Sequence, residues 1–138
     1  MTFNSDLMRS RCSEIEDSLN RLEEFLSVPR DVSLADRDML DIACYRLLIA
    51  IEAALAICFH VSAKHLHQIP EEYAGCFGLL QQAGILEEDL TKRLKRMARF
   101  RNLLVHVYWK VDYEQVYDII HNQLGDLRAF RAAMAQLL

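Results

Sequence analysis

LDIACYRLLIAIEAALAICFHV, residues 40–61, is the stretch on which the fold turns. Leu40, Ala43, Leu47, Ala50, Ala54, Ile57 and Val61 recur at steps of three and four, so they form one stripe on an α-helix. Cys44, Leu48, Ile51, Leu55 and Cys58 form a second stripe beside the first. A helix apolar over so wide an arc stands at the centre of a bundle or under a partner. Within it, residues 47–63 contain Glu52 and His60, and the apolar run is too short and too polar for a membrane span. Followed outward, the helix begins at Ser33, whose hydroxyl can cap it while Asp36 favours the first turn. It continues to about His67, before Pro70, a length of roughly 50 Å at 1.5 Å per residue.

Four further helical segments surround this one. Residues 5–27 place Met8, Cys12, Ile15, Leu19, Leu22 and Leu26 on one face and end at Pro29. Residues 73–82 form a short helix with Gly84 as its stop. Residues 87–104 begin with Glu87, Glu88 and Asp89 and continue with bases, in the sense the helix dipole favours. The stripe of that helix is Leu86, Leu90, Leu94, Met97, Arg101 and Leu104. A last helix runs from about Asp112 to the C-terminus on Val116, Ile120, Gln123, Leu127, Phe130, Met134 and Leu137. No strand pattern, repeat or linker interrupts this order. The expectation is an all-α, antiparallel four- to five-helix bundle forming one domain over residues 1–138.

The composition is that of an ordinary globular chain, with 52% hydrophobic and 26% charged residues. Residues 1–6 carry no basic segment followed by an apolar run, so no signal peptide is expected. Cys12, Cys44, Cys58 and Cys76 form no C-x-x-C pair and are read as reduced thiols of a cytoplasmic protein. His60, His65 and His67 lack i, i+4 spacing and companion ligands, so no metal site is expected. Phosphate-loop, dinucleotide and nucleophile-elbow motifs are absent, and no cofactor is expected. The net charge of −4 is unevenly spread. Residues 90–111 hold seven bases and no acid, leaving nine bases against twenty acids, or −11, in the rest. A basic stripe on an acidic body attracts a polyanion or an acidic partner; a solvated helix face is the plainer alternative.

Within the basic stripe stands Arg101-Asn102-Leu103-Leu104-Val105-His106-Val107-Tyr108. Arginine carries a permanent planar charge that matches phosphate oxygens, and histidine exchanges protons near neutral pH. Arg101 occupies a position where its helix wants a hydrophobe, so it requires a ligand or a partner, for which Glu52 is the available acid. His106 follows five residues later. In an unbroken helix the two side chains diverge by about 140°. They converge only if the helix ends between them or a second copy supplies one of them. Tyr108 reads as core packing, a substrate contact or a modification site, and Trp109, Tyr113 and Tyr117 make the region aromatic, for packing or for stacking unpaired bases.

Residues 97–112, MARFRNLLVHVYWKVD, resemble the signature of HepT-like HEPN proteins, in which arginine, four residues, histidine, one residue and tyrosine follow in order. Val116-Tyr117-Asp118-Ile119-Ile120 and Ile51-Glu52-Ala53-Ala54-Leu55 with His60 extend the resemblance over nearly the whole chain. Ala56 departs from it, standing where the family often has aspartate. The resemblance implies a helical bundle that dimerises through its long helices, with two Arg–His sites facing a shared cleft. It implies a metal-independent ribonuclease toxin with Arg101 and His106 as the catalytic pair. Asn102, Arg99 and Lys95 would position RNA. The implied partner is an MntA-type nucleotidyltransferase antitoxin, which would use ATP to attach AMP to Tyr108. The competing reading is a non-catalytic helical module that binds nucleotide or RNA or assists a nucleotidyltransferase.

Overall fold

A computed structural model describes residues 3–138. Helices α1 (Ser5–Glu23), α2 (Arg30–Ala35), α3 (Arg37–Lys64), α4 (Tyr73–Gln82), α5 (Glu88–His106), α6 (Tyr113–Asn122) and α7 (Leu124–Ala135) follow in order, with a 3-10 turn at Tyr108–Lys110. No strand occurs among the described residues.

α3 is the axis of the bundle. Its 28 residues extend about 42 Å. It packs against α1 on one side and against α4, α5, α6 and α7 elsewhere. This helix has the length and apolarity to cross a membrane, but its apolar side chains form the bundle core instead. Side-chain pairs set the directions of its neighbours. The Asn4 amide at the head of α1 donates to His60 Nε2 near the tail of α3, at 3.0 Å, so the two helices run antiparallel. Arg101 meets Glu52 while Tyr108, further along the chain, meets Asp41, nearer the start of α3. α5 is therefore antiparallel to α3 as well. Arg93–Asp126 ties α5 to α7, and Phe77 meets Phe130 edge to face at 5.6 Å between α4 and α7.

The structure departs from the sequence reading in five places. The long second helix begins later than expected: Ser33 is buried inside the separate α2, and Asp36 caps α3 by accepting from the Met39 amide at 3.0 Å. A carboxylate one turn further on supplies the same capping chemistry. The C-terminal helix is two helices, broken where Gln123 leaves helical geometry at φ −126° and ψ 0°. The apolar stripe continues across the break, so periodicity alone does not reveal it. α1 stops at Glu23 short of the expected end at residue 27, and Leu26, placed on its stripe, is exposed. For α3 the bundle-centre alternative holds: Cys44, Ile51, Leu55 and Cys58 of its second stripe are buried within the monomer. The apolar side chains that α3 leaves exposed are Ile42 and Tyr45 instead. Cys58 and Cys76 are not free thiols but a disulfide between α3 and α4, with Cα atoms 6.1 Å apart. Cys12 and Cys44 are free. The fifth departure concerns the end of α5 and belongs to the site. The expected stop after α4 is present, Gly84 taking φ 77°, the left-handed conformation glycine adopts at no steric cost.

Candidate active site on helix α5

α5 presents two functional faces. Lys95, Arg99, Asn102 and His106 follow at steps of four, three and four, so they form one strip whose ends differ by only about 20° in direction. Arg99, Asn102 and His106 are exposed and Lys95 is half-buried. Lys92 pairs with Glu88 and Arg93 with Asp126, whereas Lys95, Arg96 and Arg99 enter no ion pair among the described residues. The strip is therefore the part of the basic helix left to attract a polyanion.

Arg101 faces the other way, into the bundle. Its side chain is 9% exposed and its Nε donates to Glu52 of α3. Nη1 donates to Asn102 Oδ1 at 3.1 Å, and the guanidinium lies 4.3 Å from the centre of the Tyr73 ring. Glu52, first through the hydrogen bond, holds the arginine pKa above its ordinary value. These three contacts explain how a charge tolerates a hydrophobic position. They also fix the planar fork in one orientation, as phosphate recognition requires.

α5 continues without a break through His106. The helix therefore does not end between Arg101 and His106, and that route to convergence is closed. Within one chain the two side chains point about 140° apart.

Tyr108 is held elsewhere again. Its hydroxyl donates to Asp41 Oδ1 at 2.6 Å, and Tyr113 donates to the same oxygen at 2.7 Å. The bond to Asp41 comes first among the causes that raise the Tyr108 pKa far above the ordinary phenol value, burial second. The two tyrosines in turn lower the Asp41 carboxyl, Tyr108 contributing most. Asp41 and Glu52 are eleven residues apart, hence about 16 Å along α3 and on nearly the same face. Tyr108 thus follows His106 closely in sequence but reaches a point well removed from the Arg101 guanidinium.

The sequence reading named Arg101, His106, Tyr108, Asn102, Arg99 and Lys95, with Tyr113 among the aromatic residues around them, and it missed Asp41, Tyr73 and Phe59 beside the site. Asp41, Glu52 and Phe59 share one face of α3 and meet Tyr108, Arg101 and Tyr73 in turn. The 11- and 7-residue spacings are visible in the sequence, but only with α5 laid antiparallel on that face do they acquire meaning. No group of His, Cys, Asp and Glu able to hold a metal ion occurs among the described residues.

The sequence pattern of the family described as Ribonuclease HepT-like matches residues 15–134. The chain belongs to the HepT-like ribonuclease family. It is similar to the mRNA nuclease HepT of Shewanella oneidensis, 24% identical over 130 residues that cover 91% of this chain and 94% of that protein. The fold matches a tri-AMPylated HEPN toxin of Shewanella oneidensis solved in complex with an MNT antitoxin. The TM-score is 0.88 at 22% identity, over 99% of both chains. A toxin–antitoxin structure with AMP-PNP matches with a TM-score of 0.84 at 22% identity, over 97% of this chain and 99% of that one. The all-helical bundle of this chain is the HepT-like fold.

Proposed function

We propose that this HepT-like protein is a metal-independent endoribonuclease toxin whose working site is assembled by two copies of the chain. The observation that carries the reading is the orientation of the pair on α5. Arg101 is buried and held by Glu52, Asn102 and Tyr73, while His106 is exposed at the end of the Lys95–Arg99–Asn102 strip. One copy supplies the arginine fork and a second copy brings its histidine to the same phosphate. Ile42 and Tyr45 on α3 and Val105 and Trp109 on either side of His106 in the chain are exposed hydrophobic side chains. The Tyr108–Asp41 bond keeps these two groups at the same end of the molecule, which supports that end as the dimer face.

The chemistry uses RNA's own nucleophile. His106 takes the proton of a ribose 2′-hydroxyl, and the 2′ oxygen attacks phosphorus. The P–O5′ bond breaks, and the same histidine, now protonated, passes its proton to the departing 5′ oxygen. Arg101 stabilises the charge on the phosphate oxygens in the transition state. The products are a 2′,3′-cyclic phosphate and a 5′-hydroxyl.

Tyr108 is the point of control. A nucleotidyltransferase antitoxin of the MntA type attaches AMP there: the phenol oxygen attacks the α-phosphorus of ATP and pyrophosphate leaves. Asp41, 2.6 Å from the phenol, is positioned to receive its proton. The bulk and charge of AMP close the His106 end of the basic strip to RNA. Family membership favours this account over a non-catalytic nucleotide-binding module.

The test is cleavage of total RNA in the presence of a chelator by the wild-type chain, Arg101→Ala and His106→Ala. Cleavage by the wild type alone is the expected outcome, and equal behaviour of all three overturns the catalytic assignment. For control, intact mass after co-expression with the antitoxin should show an AMP adduct that Tyr108→Phe loses. An adduct that persists in that variant removes Tyr108 from the role.

A further inference from the structure

A cavity of about 580 Å³ opens beside the strip, where the segment before α4 passes the middle of α5. Phe59, Glu71, Glu72, Tyr73, Arg99 and Asn102 are among its lining residues. The size is that of an ordinary small-molecule site. Tyr73, 39% exposed, is packed by the Arg101 guanidinium 4.3 Å from its ring centre and by Phe59 edge to face at 5.8 Å. An aromatic ring held in this way is a stacking platform for an unpaired base. Glu72 lies back over the first turn of α4, its Cγ 3.3 Å from where a Cβ on Gly75 would stand.

The charges in the cavity identify what it takes. Two carboxylates repel phosphate, so the backbone of a bound strand belongs on Lys95 and Arg99 and the cavity is left for the base. Asn102 Oδ1 accepts from Arg101, which leaves the asparagine's amide NH₂ as a donor. Arg99 is a second donor. The lining thus offers donors on the α5 side and acceptors at Glu71 and Glu72. The pairing edge of guanine presents one acceptor, O6, and two donors, N1–H and N2–H₂. Uracil has no amino group for the carboxylates, and adenine and cytosine offer one donor position where guanine offers two.

We propose that this cavity is a nucleobase subsite that stacks the base on Tyr73 and selects guanine next to the scissile phosphate. The selection of a cut site rests on the ribonuclease reading above; the binding of a guanine nucleotide does not. Two experiments separate them. In the first, single-stranded oligonucleotides differing in one base beside the cut are compared by kcat/KM. Wild-type protein should prefer guanine by about tenfold, within the range of a good paired base contact. The Glu71→Gln, Glu72→Gln double variant should lose most of that preference. Tyr73→Phe should keep it, whereas Tyr73→Leu should raise KM about tenfold for every base, as lost stacking requires. In the second, GMP, AMP, CMP and UMP are titrated into the full chain and followed by nuclear magnetic resonance. GMP should bind most tightly and shift Ala74, Tyr73 and Asn102. Cleavage indifferent to base, a preference unchanged in the double variant, or GMP shifts located elsewhere each overturns the subsite. GMP bound in the cavity by a protein that cuts no RNA keeps the subsite and overturns the ribonuclease reading.

Discussion

Removing the carboxylate of Glu52 is the sharpest perturbation this structure offers. Arg101 is 9% exposed at its side chain and Glu52 is 43% exposed. Breaking a buried ion pair by deleting one partner costs about 3–5 kcal/mol, because a charge is left without compensation. The half-open carboxylate is partly screened by water, which lowers the expected cost for Glu52→Gln to about 2 kcal/mol. Unfolding entropy near the midpoint is about 2.1 cal/mol/K per residue, so for 138 residues each kcal/mol moves Tm by about 3.5 °C. Glu52→Gln should therefore lower Tm by about 7 °C in differential scanning calorimetry. The double variant Glu52→Leu, Arg101→Met replaces the pair by apolar side chains and should recover most of that loss. RNA cleavage, measured on the same samples below their midpoints, should fall in Glu52→Gln, whose arginine has lost its orienting partner. It should be absent in the double variant despite the regained stability. A Glu52→Gln protein that melts with the wild type would show that the pair holds nothing. A stable double variant that still cuts RNA would remove Arg101 from the chemistry.

His106→Ala should abolish cleavage while changing stability by no more than about 0.5 kcal/mol, since the side chain is exposed; calorimetry beside the activity assay checks both halves. The Asp41–Tyr108–Tyr113 cluster should hold between acid and alkaline limits. Asp41 is lowered in the fold, so its stabilisation is present above its ordinary pKa and is lost as pH falls through the depressed one. The tyrosines are raised, so theirs is lost as pH climbs above the ordinary phenol value. In Tyr108→Phe the Asp41 titration followed by carbon resonance should move upward yet stay below the usual carboxylate range, because Tyr113 remains; an unchanged titration would show the Tyr108 bond to be absent in solution. Alkylation of the unfolded, unreduced chain should label Cys12 and Cys44 and spare Cys58 and Cys76, and labelling of all four would show the disulfide to be unformed. In the folded protein Cys44 should react slowly, since burial, followed by Asp41, pushes its thiol up to about 11.

Much of this protein is legible in its sequence, because helix periodicity is a local property. The stripes of α1, α3 and α5 follow from residues three and four apart, and the core they predict through Leu47, Leu94, Met97 and Leu104 is the core observed. The arginine misplaced in an apolar stripe and the Arg–His–Tyr spacing are likewise local, and they carried the site residues and the family resemblance. The break at Gln123 and the separate α2 were not legible, since a bend can leave an apolar stripe uninterrupted on either side. Three further features depend on elements far apart in the chain being laid side by side. Antiparallel packing of α5 on α3 brings Arg101 to Glu52 and Tyr108 to Asp41, across 49 and 67 residues. The approach of α4 places Tyr73 on the guanidinium and closes the cavity beside Asn102. The continuity of α5 through His106 decides that arginine and histidine diverge within one chain. Spacing along a helix sets the direction in which a side chain leaves it. What that side chain meets is set by long-range packing, and so the sequence supplied the chemical groups while the tertiary structure determined their partners.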